Sequence, residues 1–263
     1  MRFAYSTINW GTTPDFAAAF AEIREAGWRA VELFWHDLGW MGPPERMRGL
    51  LAGAGLTAAT SFGLVRVPVD AGQLVRLRNE VAHAAALGAT HYGVNGGDRL
   101  RWRPPDEAEE VGLARLLEDL AQFGEAVGVQ VAYHPHVACT VETEAEIARL
   151  LARTRRLSLC LDVSHIALVG EDPLAHLTAY RERTTYVHLK DWARGRFVEM
   201  GEGSLGIDFP AILGHLEATA FPGWVVVEQS RSDVSPARSA AANAEALRRF
   251  GWDPARTGDG AAE

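Results

Sequence analysis

Five ionisable residues carry the first indication of chemistry: His134 and His136 in "VAYHPHVACTVET", Asp162 in "LSLCLDVSH", His188 in "YVHLKD" and Glu228 in "WVVVEQS". Each group follows a run of apolar, β-favouring residues and so stands at the C-terminal end of a candidate strand. Side chains two apart on a strand share a face, which pairs His134 with His136 and His188 with Lys190. On adjacent strands, spaced roughly 4.8 Å, Asp162, His188 and Glu228 can converge on one ion. Mixed nitrogen and oxygen ligation suits one divalent cation, Mn²⁺ first, with Co²⁺, Zn²⁺ or Mg²⁺ as alternatives. A fourth ligand is expected from strand five or the loop after it.

The elements that must position these groups alternate in type from the N-terminus to about residue 251. The pattern predicts strands at Phe3–Ile8, Ala30–Trp35, Thr57–Phe62, His91–Asn95, Val129–His134, Leu157–Val163, Thr185–Lys190 and Trp224–Gln229. Between them run amphipathic helical stretches such as "PDFAAAFAEIREAG" and "EVGLARLLEDLAQFGEAVG", opened by Asp or Pro and closed by Gly. "LSLCLDV" and "WVVVEQ" are apolar on both faces, as parallel strands sheathed by helices are. Eight βα units in about 250 residues predict an α/β fold, a single-domain (β/α)₈ TIM barrel over residues 1–251. "STINWGTTPDF" lacks the GxGxxG turn of a dinucleotide-binding open sheet, and "DPARTGDGAAE" predicts a disordered tail over 252–263. In a barrel, ionisable residues gathered at C-terminal strand ends mark an active site, and here six of the eight strands end that way.

Composition narrows the partners. A net charge of −8 disfavours a protein that grips nucleic acid or an anionic membrane. Two cysteines cannot build a disulfide framework, and "MRFAYSTINWG" lacks the regions of a signal peptide, so a cytoplasmic location is expected. A small molecule is the expected partner, and a homodimer is left open.

At these residues the chain resembles the xylose isomerase-like superfamily of sugar isomerases, epimerases and dehydratases, and within it the inosose dehydratase group. The resemblance lies in "YHPHVACTVETEAEI", "LDVSHIALVGEDPLAHL", "YVHLKD", "FVEMGEGSLGIDFPAIL" and "GWVVVEQS". It implies a barrel holding one divalent metal, with Asp162, His188 and Glu228 at the metal positions of strands six to eight and His165 near a substrate hydroxyl. Many members carry a ligand Glu inside strand five, where this chain has Ala132; Glu142 in "TVET" is then the first choice for fourth ligand, with His134 and His136 as alternatives.

The implied reaction removes a proton next to the carbonyl of a polyhydroxylated ketone and passes through an enediolate, leading to isomerisation, epimerisation or loss of a β-hydroxyl as water. His136 or His134 is expected as the base, with Glu228 or Glu142 as competitors, and Lys190 either as a group that steadies the oxyanion or donates a proton or as an ordinary ion pair with Asp191 or Glu228. Glu32, Asn95 and Trp35 are expected to touch substrate, the first two through hydroxyls and Trp35 by stacking on the ring. Hydroxypyruvate isomerase, a dehydroshikimate-type dehydratase and a non-catalytic sugar-binding barrel are the alternatives.

Overall fold

The computed structural model describes residues 1–34, 36–97, 99 and 105–257. Its strands are β1 (Arg2–Ser6), β2 (Ala30–Phe34), β3 (Thr57–Val65), β4 (His91–Gly96), β5 (Gln130–Tyr133), β6 (Ser158–Asp162), β7 (Thr184–Leu189), β8 (Asp191–Ala193), β9 (Arg196–Val198) and β10 (Trp224–Val227). The helices are α1 (Phe16–Glu25), α2 (Leu38–Met41), α3 (Pro44–Ala54), α4 (Ala71–Ala86), α5 (Glu107–Ala126), α6 (Glu144–Ala152), α7 (Val163–Leu168), α8 (Pro173–Ala179), α9 (Phe209–Ala218) and α10 (Pro236–Arg249). Eight strands close a parallel barrel in the order β1-β10-β7-β6-β5-β4-β3-β2. The expected (β/α)₈ architecture is therefore what the chain adopts.

Alternation along each strand separates two cores. Outward residues such as Phe3, Tyr5, Val131, Leu159 and Val225 meet the helices in one large cluster, whereas Ala4, Ala30, Ala59, Ala132, Cys160, Tyr186 and Val226 fill the barrel. Strands clothed on both faces have no polar side to show, which is why they read as continuous apolar runs. The helices start where their caps dictate: Asp15 accepts from Ala17 and Ala18 at α1, and Asp106 with Glu109 forms a capping box at α5. Apolar residues at helical spacing on α5, including Leu113, Leu117, Leu120 and Ala121, then bury its inner stripe.

One glycine makes room for an aromatic ring inside the barrel. A Cβ on Gly93 would lie 2.3 Å from the Phe62 ring, so only glycine at this point of β4 lets Phe62 lie across the interior.

The β8–β9 hairpin is the element that the expected strand pattern lacks. Its antiparallel pairing joins Asp191 to Val198 and Ala193 to Arg196, and the turn places Arg194 and Gly195 at φ 52° and 82°. Two successive residues of positive φ make the tight turn that fits strand twist, and Gly195 is its only sequence signal. The C-terminal segment also departs from expectation: Phe3 N donates to the carbonyl of Arg256 at 2.7 Å and Trp252 packs on the outer core. Residues 252–257 are thus docked to the barrel, and the rest of the expected tail, 258–263, lies outside the described residues.

Candidate metal centre

The inward register that contributes Ala132, Cys160, Tyr186 and Val226 to the barrel core continues two residues later as His134, Asp162, His188 and Glu228. One donor atom from each of these four buried residues lies within 4.8 Å of the others. Asp162 Oδ2 is 4.0 Å from His134 Nε2 and 3.8 Å from His188 Nδ1, and Glu228 Oε2 is 2.9 Å from His188 Nδ1. Asp162 Oδ2, Glu228 Oε2 and His188 Nδ1 nevertheless have no hydrogen-bond partner, so the 2.9 Å contact is one of proximity without alignment. Buried donors and acceptors left unpaired cost ~1–3 kcal/mol each, and two carboxylates and two imidazoles around one point are a donor set that a divalent cation satisfies together. The residues present fit such an ion.

The second polar atom of each of the four is anchored elsewhere. Asp162 Oδ1 caps α7 by accepting from Ser164 N at 2.8 Å and His165 N at 3.2 Å. Glu228 Oε1 accepts from Lys190 Nζ and, at 2.9 Å, from Ser230 Oγ. His134 Nδ1 faces the Cys160 carbonyl at 3.3 Å, and a carbonyl can only accept, so the proton sits on Nδ1 and Nε2 is bare. His188 Nε2 meets Glu32 Oε2 at 2.9 Å, which points Nδ1 at the other three residues. His134, Asp162 and Glu228 thereby turn a free lone pair toward the common point and His188 turns Nδ1 there, whose proton a cation would displace, an orientation that outer hydrogen bonds impose on metal ligands.

Residues 20–250 match the family described as xylose isomerase-like TIM barrel. The chain belongs to this family. It is 30% identical over 271 residues to the rhizopine catabolism protein MocC of Rhizobium meliloti, covering 87% of this chain and 81% of that protein. It is 34% identical over 137 residues to an inosose dehydratase of Lacticaseibacillus casei, a match spanning 44% of this chain and only 45% of that enzyme. Among solved structures, an L-ribulose 3-epimerase superposes with a TM-score of 0.80 at 17% identity, covering 95% of this chain and 94% of that one, which is a likeness of fold.

Above the four-residue group, this member of the family gathers aromatic and cationic side chains. The rings of His136 and His165 lie 3.6 Å apart, and Phe197 of the hairpin covers His165 at 5.6 Å and Lys190 Nζ at 3.7 Å. Phe62 stands against His134 at 5.5 Å and His188 at 5.7 Å. His136 Nδ1 faces the Val137 carbonyl at 2.6 Å, leaving its Nε2 bare as in His134. Asn95 Oδ1 and both nitrogens of His165 are buried without a partner.

Burial sets the charge states. It lowers His134 and His165 well below the usual imidazole value and His136 to about 4, neighbouring cationic groups adding to the effect. Burial also pushes Asp162 up to about 6, against the pull of Lys190. For Glu228 burial acts in the same sense but is outweighed by Lys190 and His188, which hold it well below the carboxylate range. Burial opposes the imidazolium of His188, yet Cys160, Glu32 and Glu228 together hold it well above its usual value.

Several sequence expectations need correction. Glu142 does not enter the four-residue group: its Oε2 accepts from Ala138 N at 2.7 Å and its Oε1 pairs with Arg99 Nε at 3.2 Å, so it braces the loop after β5. With its bond to Glu146, Arg99 ties this loop to the first turn of α6. Glu32 is not at the mouth for substrate but fully buried beneath His188, where Tyr186 Oη also donates to it. Lys190, by contrast, makes one of the ion pairs expected for it, with Glu228. Trp35 lies outside the described residues. Phe62, Tyr186 and Phe197 were missed because an apolar or aromatic strand residue reads as core until its inward direction is known.

Proposed function

We propose that this chain is a divalent-metal-dependent enzyme that abstracts the proton next to the carbonyl of a keto-sugar or keto-inositol, working as an isomerase or epimerase or, favoured by the inosose dehydratase match, as a dehydratase. The observation that carries this reading is the convergence of Asp162 Oδ2, Glu228 Oε2 and His188 Nδ1, all unpartnered, with the donor atom of His134. His134, Asp162, His188 and Glu228 would hold the ion, His134 standing where Glu142 had been expected. When bound, the cation supplies Lewis acidity that polarises the substrate carbonyl and acidifies the adjacent C–H.

The chain's own residues do the rest. His136 Nε2, neutral and bare at the mouth, is the base that takes the proton, and neutral His165 beside it orients a substrate hydroxyl; in a dehydratase the proton taken up by His136 passes to that hydroxyl, which leaves as water. Lys190, fixed by Glu228 and Phe197, directs positive charge at the developing oxyanion. Asn95 Oδ1 accepts from a further hydroxyl. Phe62 and Phe197 bound the site with apolar surface and restrict water.

The test is incubation of Mn²⁺-loaded protein in D₂O with 2-keto-myo-inositol and a panel of ketoses, followed by NMR. Deuterium at the carbon next to the carbonyl supports proton abstraction, and an unsaturated product identifies dehydration. A protein that binds the cation and shows neither with any ketone is a binding barrel instead.

A further inference from the structure

Cys160 occupies the inward position of β6 directly below Asp162, and the proposed reaction does not use it. Its thiol is fully buried and lies beside His188. Cys160 Sγ, one nitrogen of His134 and one of His188 lie within 4.8 Å of one another. The centre of a triangle of that edge is ~2.8 Å from each corner, so movements of up to about 0.8 Å reach zinc-like distances of ~2.3 Å to sulfur and ~2.0 Å to nitrogen.

We infer that Cys160, His134 and His188 form a second, thiophilic cation position, one layer beneath the carboxylate-bearing set, that takes Cd²⁺ or Zn²⁺. The two positions share both histidines and therefore exclude each other. Softness separates their occupants: two carboxylate oxygens with two imidazoles favour Mn²⁺ or Mg²⁺, whereas a thiolate with two imidazoles favours a soft ion. On binding, the S–H bond breaks, its proton passes to solvent and an S–metal bond forms, with no change of oxidation state. The lower position stands on these three side chains alone, while its consequence, that a thiophilic ion inhibits by drawing His134 and His188 downward, rests on the proposed enzymatic function.

The experiment is titration of metal-free full-length protein with Cd²⁺, followed by thiolate-to-metal ultraviolet absorption, beside Mn²⁺ binding followed by electron paramagnetic resonance. The expected result is a band that saturates at one equivalent and expels bound Mn²⁺ one for one. Cys160→Ser, close in size and checked for fold by circular dichroism, should abolish the band and weaken Cd²⁺ binding by about tenfold or more while changing Mn²⁺ affinity less than about twofold. Cys160→Ala should do the same, and Cys139→Ser should leave the band in place. Cd²⁺ binding without the band, or a band that survives in Cys160→Ser, overturns the inference. An intact Cd²⁺ band in protein that binds no Mn²⁺ supports the thiophilic position and sinks the proposed enzyme.

Discussion

His188 Nε2 and Glu32 Oε2 stand 2.9 Å apart with both side chains at zero exposure, although their strands, β7 and β2, are not neighbours in the barrel. The contact crosses the interior and fixes which nitrogen of His188 is free for the cation. Glu32→Gln should therefore weaken Mn²⁺ binding by ~10–100-fold, as loss of an outer-shell carboxylate does, without removing any ligand atom. A chelator-competition titration measures it, and an unchanged affinity would show that His188 is oriented by something else.

Asp162→Asn and Glu142→Gln separate the two candidate ligand sets. Asp162 points an unpartnered oxygen into the group while Glu142 is spent on Ala138 and Arg99. Elemental analysis of the purified variants should find metal lost from Asp162→Asn and retained in Glu142→Gln. Loss in Glu142→Gln alone would restore that residue to the metal shell.

His136→Gln should leave metal content intact and lower deuterium exchange into a ketone substrate by ~10²–10⁴-fold, the usual range for losing a general base. Exchange at the wild-type rate would move the base to another group, with Glu228 the first to examine.

Gly93→Ala tests the close approach inside the barrel. The added methyl meets Phe62, which must move, and overpacking of this kind costs ~1–3 kcal/mol. Urea unfolding should report that loss, and because Phe62 rests on His134 and His188, Mn²⁺ affinity should fall as well.

His36, which is not one of the four converging residues, gives a pH dependence of stability. Burial lowers it to about 4 from the ordinary imidazole value of 6.5, while a bond to the Thr12 carbonyl pulls the other way. A histidine depressed in the folded state favours folding when neutral, so its contribution is complete above pH 6.5 and is lost as pH falls toward 4. The full effect is about 3 kcal/mol. Unfolding of metal-free protein at about pH 7.5 and about pH 5 should show the loss, and His36→Gln should flatten that part of the profile.

Much of this protein is legible in its sequence. The alternation of strand and helix patterns and the doubly apolar strands are local consequences of burial on both faces of a parallel sheet, so the barrel and the strand-end positions of Asp162, His188 and Glu228 follow from pattern alone. His134 also follows as a strand-end residue, with its face.

What the sequence could not decide is which side chains meet across the barrel and which are already occupied. Glu142 and His134 were both open as fourth ligand; only the packed loop, which ties Glu142 to Ala138 and Arg99, leaves His134 beside the other three. Glu32 and His188 have β1 and β10 between their strands by the shorter path around the barrel, so their proximity is created by closure and invisible to spacing along the chain. Phe197 reaches Lys190 because a two-residue turn folds the hairpin over the mouth. Residue types and periodicity determine what each strand end offers, while long-range closure and competition for hydrogen bonds determine which of those groups remain free to act.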